Sequence, residues 1–197
     1  MIVGVLAFQG DFAEHIQILE RLRIPSLQVR TLEDLAKVDG LIIPGGESTV
    51  IAAFLGHSGI GKELRRRVYD SRHPIAVYGT CAGAIVLARK ATGKNAPRGL
   101  GLIDVVIDRN AYGTQIDSFE TVLNVHGMKS PLSVAFIRAP KITRVSRKVE
   151  ILAMDGSLPV LVRQGRVMIS TFHPEVRGQT GIHDLFVQMI KGHTSAR

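Results

Sequence analysis

Tyr78-Gly79-Thr80-Cys81-Ala82-Gly83-Ala84-Ile85 is the most informative segment of this chain. An apolar run at residues 74–78 leads into it, and small or aliphatic residues follow Cys81. The segment therefore predicts a buried strand, a sharp turn and a helix. A cysteine between two glycines at such a junction is the nucleophile-elbow pattern, with Cys in place of Ser. The glycines allow the close backbone approach that the turn requires, and the helix N-terminus favours the thiolate form of Cys81.

The alternative for Cys81 is a structural role, because a lone cysteine is most often a small buried residue without chemistry. The chain has one cysteine in 197 residues, which excludes an intrachain disulfide and any thiolate-rich zinc or iron–sulfur site within it. The glycines on both sides of Cys81, at a strand-to-helix junction, favour the nucleophile.

The first half of the chain alternates between strand and helix patterns. Strands are predicted at residues 2–8, 26–30, 40–43 and 74–78, and helices at residues 12–22, 32–37, 60–69 and 82–90. Asp11 is in position to cap the first of these helices. The alternation indicates a parallel sheet with helices on both faces.

The second half of the chain changes to short strands. These are predicted at residues 102–108, 120–125, 133–137, 149–154, 159–163 and 166–170, before a last helix at 182–190. Asp155-Gly156 and Gln164-Gly165 are typical of hairpin turns. We expect this antiparallel half to extend the parallel sheet and to pack beside it. Because we find no internal repeat or linker, we expect residues 1–197 to form a single domain.

The charge of the chain raises the question of a nucleic-acid partner. There are 25 Lys and Arg residues against 17 Asp and Glu residues, a formal net charge of +8. The basic residues are scattered, and the one dense run, Arg65-Arg66-Arg67, falls in a predicted helix, where we expect a solvated face. With 5% aromatic residues and no tryptophan, the chain has little material for stacking on bases. We therefore expect no nucleic-acid partner.

No targeting or membrane segment is predicted. The apolar run after Met1 has no basic start, and Gln9-Gly10-Asp11 follows it at once. No run approaches the ~20 apolar residues of a membrane span. We expect a cytoplasmic protein that keeps its thiol reduced and has no membrane partner.

His173 is the histidine best placed in the sequence to act as a base. It follows the predicted strand at 166–170, in Thr171-Phe172-His173-Pro174-Glu175. A cysteine nucleophile needs a base, and the base needs an orienting group. Residues two apart on a strand face the same way, so we expect Glu175 to reach His173. A surface turn is the alternative for this stretch taken by itself.

Glycines also follow the predicted strand at 40–43, in Pro44-Gly45-Gly46-Glu47-Ser48-Thr49. Ligands of parallel sheets bind at this carboxyl edge, where freed N–H groups could form an oxyanion hole with the amide that follows Cys81. The alternative is a plain turn before a helix capped by Ser or Thr. Arg109 and Arg138, each at a strand end, could hold a substrate carboxylate, although either alone would be read as a surface residue. The other histidines show no spacing that demands a metal.

Together these motifs resemble the class I, triad-type glutamine amidotransferases, and within them the glutaminase subunits of pyridoxal 5'-phosphate synthases. The matching stretches occur in the order of that family and cover nearly the whole chain. They are residues 4–10, 44–49, 79–83, 109–113, 117–120, 136–140 and 172–175. Two positions depart from the family, which often has an arginine in place of Thr114 and an aliphatic residue in place of Phe8.

The resemblance implies a three-layer α/β/α fold with a mostly parallel, flavodoxin-like open sheet and an antiparallel extension. It implies that the chain hydrolyses L-glutamine to L-glutamate and ammonia through a catalytic triad of Cys81, His173 and Glu175. Backbone amides of Gly46 and Ala82 would form the oxyanion hole. The residues implied to bind glutamine are Gly46, Glu47, Ser48, Arg109, Ile137 and Arg138.

The resemblance also implies a partner. Ammonia would pass to a separate pyridoxal 5'-phosphate synthase subunit in a hetero-oligomer, and this chain would need no cofactor and no metal. Two other classes stay open: another Cys hydrolase on a similar elbow, and a basic nucleic-acid-binding module without enzymatic activity. The second would leave the triad stretches unexplained.

Overall fold

The computed structural model of the chain describes residues 1–109 and 118–194. The strands are β1 (Val3–Leu6), β2 (Ser26–Val29), β3 (Gly40–Ile43), β4 (Ala76–Thr80), β5 (Ala88–Thr92), β6 (Ile103–Asp108), β7 (Phe119–Leu123), β8 (Leu132–Phe136), β9 (Lys141–Val145), β10 (Glu150–Asp155), β11 (Leu158–Gln164) and β12 (Val167–Ser170). The helices are α1 (Phe12–Arg21), α2 (Leu32–Ala36), α3 (Ser48–His57), α4 (Ile60–Tyr69), α5 (Ala82–Leu87), a 3-10 helix (Glu175–Arg177) and α6 (Gly181–Thr194). None of these helices is long and apolar enough to cross a membrane.

Within these described ranges, the strands form one seven-stranded sheet and two smaller ones. The order in the large sheet is β10-β11-β12-β4-β3-β1-β2. Its strands from β12 to β2 run parallel, whereas β10 and β11 continue it antiparallel. The sheets β5-β6-β9 and β7-β8 pack against the antiparallel end. The predicted mostly parallel sheet with an antiparallel extension is therefore confirmed, and so are the hairpins around Gly156 and Gly165.

Helices cover both faces of the large sheet because side chains alternate along its strands. Leu41 of β3 packs in a core that also holds Ile51 of α3 and the apolar residues of α4 and α5. Its neighbour Ile42 packs in a second core with Leu19 of α1 and Phe186 of α6. These two cores make the three α/β/α layers that the resemblance implies.

Two strands differ from the sequence prediction. The helix expected at 82–90 ends at Leu87, because Ala88 leaves the helical conformation with ψ of 151° and starts β5. Strand β9 is not predicted at all, since Ile142 is its one buried residue and it shows no alternating pattern. Both strands pair with β6. In both strands, hydrogen-bond pairing with β6 outweighs the secondary-structure preference of the local sequence.

The basic run on α4 is only partly the solvated face that the sequence predicts. Arg66 is exposed and forms ion pairs with Glu63 and Asp70 on its own helix. Arg67 is buried and donates to the backbone carbonyls of Leu35 and Val38, at 2.6 and 2.9 Å. The expectation was therefore wrong for Arg67, whose guanidinium satisfies the carbonyl end of helix α2 and the loop that follows it.

Candidate active site

Cys81 lies at the sharp turn between β4 and α5, at the carboxyl edge of the large sheet. Its φ of 47° and ψ of −103° are unusual for a residue with a side chain, and such strain concentrates at functional sites. A Cβ on Gly83 would lie 2.1 Å from the carbonyl oxygen of Ile43, and one on Gly79 would lie 2.7 Å from the backbone of Gly83. Both glycines are therefore required for β3, β4 and α5 to approach this closely, as the elbow pattern predicts.

His173 and Glu175 follow β12 on the neighbouring strand of the sheet. The backbone N–H of His173 donates to the carbonyl of Ala135 at 2.8 Å, which holds this segment beside β8. Glu175 reaches back so that its Oε1 lies 2.6 Å from Nδ1 of His173. This contact between Glu175 and His173 is the predicted one, but the two residues do not lie on a strand. Strand β12 ends at Ser170, and a 3-10 turn after Pro174 brings Glu175 to His173.

Cys81 and His173 line the same cleft, and the interaction with the Cys81 side chain raises the pKa of His173. With Nδ1 held by Glu175, Nε2 is the ring nitrogen left for the thiol. The structure thus brings Cys81, His173 and Glu175 together in the order that a nucleophile, a base and an orienting acid require.

Asp11 is a site residue that the sequence reasoning missed. It was expected to cap α1, but its side chain makes no capping hydrogen bond and instead lies 3.5 Å from Nδ1 of His173. Its position in the chain could have identified it, because Gln9-Gly10-Asp11 follows the end of β1 at the same sheet edge as Cys81. Asp11, His173 and Glu175 have ligand-type atoms within 4.8 Å of one another. The hydrogen bonding to His173 accounts for that cluster.

The charges of this cluster favour a protonated imidazole. Burial by itself would lower the pKa of His173, but its interactions with Asp11, Cys81 and Glu175 outweigh burial and raise that pKa. Burial raises the pKa of Glu175, and its contact with His173 opposes this only in part. The hydrogen bond with His173 lowers the pKa of Asp11. An imidazolium next to a thiol stabilises the thiolate, which is the attacking form of cysteine.

The Pro44–Gly46 turn closes the other side of the site. A Cβ on Gly45 would lie 2.5 Å from Cε1 of His173, and Gly46 has a φ of +136° that favours glycine. Gln9 follows the end of β1. Its side chain donates to the Glu47 carbonyl at 2.8 Å and so holds the end of the turn in place.

Glu47, not Ser48 or Thr49, caps helix α3. Its carboxylate accepts from the backbone N–H of Thr49 at 3.2 Å and also pairs with the guanidinium of Arg109. The helix of the expected alternative is therefore present, but its cap is Glu47 and not Ser or Thr. Ser48 is buried, and its hydroxyl has no hydrogen-bond partner among the residues that the structure describes.

A single cleft of about 540 Å³ collects almost all of the predicted site residues. Its lining includes Gly46, Glu47, Ser48, Cys81, Ala82, Arg109, Ile137, Arg138 and His173, together with Asp11, Ile85 and Val176. Arg138 has a φ of 43°, a second strained position in the same cleft. Glu175 is buried behind His173 and is not part of the lining. Thr114, a departure from the family pattern, lies outside the described residues.

Comparisons with known proteins agree with this geometry. The model of the SNO glutamine amidotransferase family matches residues 5–192. Proteins named pyridoxal 5'-phosphate synthase subunit PdxT from Pseudothermotoga lettingae and Thermus thermophilus are each 46% identical to this chain. The alignments cover 96% and 95% of this chain, and 95% and 97% of those proteins.

Solved structures give the same result. A crystal structure described as a glutamine amidotransferase superposes with a TM-score of 0.90 at 44% identity, over 97% of this chain and 100% of that one. PurLQS from Thermotoga maritima, at 16% identity and a TM-score of 0.67 over 98% of each chain, shares the fold. With its elbow, its histidine–carboxylate pair and this similarity over nearly its full length, the chain belongs to the SNO glutamine amidotransferase family.

Proposed function

We propose that this chain is the glutaminase subunit of a pyridoxal 5'-phosphate synthase and hydrolyses L-glutamine to L-glutamate and ammonia. The observation that carries the proposal is the strained Cys81, which lines one cleft with His173, while Nδ1 of His173 lies 2.6 Å from Oε1 of Glu175. The relatives named PdxT, at 46% identity over nearly the whole chain, support the synthase assignment.

The first half of the reaction forms a thioester. The Cys81 sulfur attacks the side-chain amide carbon of glutamine, and His173 holds the thiol proton. Backbone N–H groups of Gly46 and Ala82 stabilise the oxyanion of the tetrahedral intermediate. His173 then gives its proton to the amide nitrogen, the C–N bond breaks, and ammonia leaves a glutamyl thioester on Cys81.

The second half of the reaction hydrolyses that thioester. His173 takes a proton from water, the hydroxyl attacks the thioester carbon, and the C–S bond breaks to give glutamate and free Cys81. Glu175 keeps the imidazole in the tautomer and orientation that serve both halves, and it stabilises the imidazolium.

Charged residues in the cleft suit the two ends of an amino acid. Glu47 can pair with the α-ammonium group of glutamine, and Arg109 and Arg138 can hold its α-carboxylate. Ser48, whose buried hydroxyl has no partner among the described residues, and the backbone at Ile137 supply further contacts. Substrate binding would have to reorganise the Glu47–Arg109 ion pair, since both partners line the cleft.

The remaining parts of the proposal concern the domain, cofactor, partner and compartment of the enzyme. Residues 1–197 act as one glutaminase domain that needs no cofactor and no metal. Ammonia passes to a synthase subunit in a hetero-oligomer. The single reduced thiol suits the cytoplasm, and neither nucleic acid nor a membrane is a partner.

The test is ammonia and glutamate release from L-glutamine by the purified chain, alone and with its synthase subunit, with Cys81→Ser as the control. We expect both products in equal amounts from the wild-type complex and none above background from the variant. Glutamine left intact by the complex would contradict the proposal. Cleavage of peptides or other amides in its place would indicate a different Cys-elbow hydrolase.

A further inference from the structure

Two histidines that the mechanism does not use lie behind the proposed triad. His15 on α1 and His183 on α6 are fully buried, and His15 Nδ1 lies 2.8 Å from His183 Nε2. The other ring nitrogen of His15, Nε2, lies 3.6 Å from Oε2 of Glu175 and 3.4 Å from the hydroxyl of Thr80. The three side chains of Glu175, His15 and His183 therefore continue the line from Cys81 through His173 into the core.

The second carboxylate oxygen of Glu175 needs a compensating group. Oε1 is engaged by His173, whereas Oε2 is buried and accepts no hydrogen bond from the residues that the structure describes. A buried anionic oxygen without compensation costs free energy, and the His15 ring is in position to supply it. At 3.6 Å the contact exceeds a hydrogen bond, but an N–H dipole at that distance still stabilises the negative charge.

One of the two possible proton arrangements fits these surroundings better. If His15 donated from Nδ1, its Nε2 lone pair would face the Glu175 carboxylate, and His183 would carry its proton on Nδ1. That atom is buried and has no partner among the described residues. If His183 donates from Nε2, His15 carries its proton on Nε2, towards Glu175 and Thr80. The second arrangement avoids the repulsion and leaves no N–H unpaired.

We propose that His15 is a positioning residue for the glutaminase reaction: its Nε2–H stabilises and orients Glu175, and His183 fixes the tautomer that makes this possible. The inference rests on the proposed function, since it extends the way in which Glu175 acts on His173. Neither residue touches the substrate cleft, so both act through Glu175.

The electrostatics of the pair agree with this geometry. Burial lowers the pKa of His15, and the charges of His183 and His173 lower it further. Burial also lowers the pKa of His183, to about 3. Both rings are therefore neutral at pH 7, with one N–H each. A neutral donor compensates Glu175 without placing a second positive charge near the His173 imidazolium.

Kinetics of matched variants separate positioning from packing. His15→Leu removes the donor but keeps an apolar side chain, whereas His15→Gln restores an N–H donor near the position of Nε2. With the synthase present, we expect His15→Leu to lower kcat by about 10- to 100-fold with KM changed less than about twofold, as for other groups that orient a catalytic side chain. His15→Gln should recover most of that loss.

Leu19→Ala is the control, because Leu19 is buried on the same helix and belongs to the core below the site. It should lower thermal stability and leave kcat unchanged. If His15→Leu retains wild-type kcat, or if His15→Gln and His15→Leu lose the same activity, the positioning role is wrong.

Nitrogen-15 NMR of the histidine rings tests the tautomers without any turnover, and without a variant that has to fold. We expect His15 and His183 both to carry their proton on Nε2 in the wild-type chain. A proton on Nδ1 of His15 would overturn the inference while leaving the glutaminase proposal intact. Absence of glutamine hydrolysis by the wild-type complex would instead overturn the proposed function, whatever the tautomers are.

Discussion

The two sides of the cleft are built in different ways. On one side, Cys81 is fixed by contacts between backbones, since Gly83 packs directly on the carbonyl of Ile43. On the other side, Gly45 packs as closely, since a Cβ on Gly10 would lie 1.8 Å from its carbonyl oxygen, but the next residue, Gly46, is exposed, and the Gln9 side chain donates to the Glu47 carbonyl that follows it. The proposed nucleophile is therefore set by the fold, whereas Gly46, whose N–H would be an oxyanion donor, lies at an exposed position of its turn.

This difference separates two requirements of the proposed reaction. A nucleophile has to be held rigidly because its angle of attack determines the rate. A glycine peptide can rotate at little steric cost, so an oxyanion hole at Gly46 can be open or formed in the same fold. A partner that binds the formed state would shift that equilibrium by its differential affinity.

The largest expected effect comes from the rigid side. We expect Cys81→Ser to fold normally and to lose at least about 10⁴-fold in glutaminase activity, because losing the nucleophile of a triad removes nearly all of its contribution. A glutamine-analogue electrophile should label Cys81 alone, as measured by mass spectrometry. A label on another residue, with Cys81 unlabelled, would contradict the assignment of Cys81 as the nucleophile.

The next effect compares His173, the proposed base for Cys81, with Glu175, which orients His173. We expect His173→Asn to remove nearly all turnover and Glu175→Gln to leave roughly 10- to 100-fold more, since the orienting acid of a triad can matter less than the base. Steady-state kinetics with the synthase present measures both. Near-wild-type activity of His173→Asn would refute its role as the base.

A pair of glycine variants tests the comparison directly. Gly83→Ala forces a Cβ to within 2.1 Å of the Ile43 carbonyl, so we expect it to lower the stability of the fold by about 1–3 kcal/mol or more. At Gly46 a Cβ would lie 3.2 Å from the flexible end of Gln9 and 3.4 Å from the Cα of Gly10, contacts much looser than those at Gly83. Gly46→Ala should therefore cost less stability than Gly83→Ala, because the exposed turn can rearrange to relieve the strain of alanine at a positive φ, and it should lose activity, because that rearrangement moves the proposed oxyanion donor.

Thermal melts and kcat together decide this pair. If Gly46→Ala is fully active, or if Gly83→Ala melts at the wild-type temperature, the contrast between a fixed nucleophile and an adjustable turn does not hold.

The smallest effect concerns the partner. We expect the free chain to be a poor glutaminase, and its synthase subunit to raise kcat by about tenfold or more, a change of about 1.4 kcal/mol in the population of the formed turn. Gln9→Ala, which removes the brace on Glu47, should reduce that stimulation. The measurement is glutamate production at saturating glutamine across a titration of the synthase. A free chain that already turns over at the rate of the complex would contradict partner activation.

Much of the fold and the core of the site could be predicted from sequence alone. The alternation of strands and helices, the hairpins at Gly156 and Gly165, and the elbow at Cys81 are all local patterns. Each reflects backbone geometry over a few residues: the period of a strand or helix, or a turn that only glycine permits. The contact between His173 and Glu175 was also within reach, because the two residues are neighbours in sequence.

The tertiary structure alone decided which distant polar groups meet. Asp11 faces His173 instead of capping α1, and Arg67 is buried on backbone carbonyls instead of being solvated. His15 and His183, 168 residues apart, meet behind Glu175 because α1 and α6 cover the same face of the sheet. A local pattern specifies where a side chain starts, but its partner depends on which sheet edge and which helix are folded against it. The packing of the two cores determines which helices and sheet edges come together, and no short stretch of sequence specifies that packing.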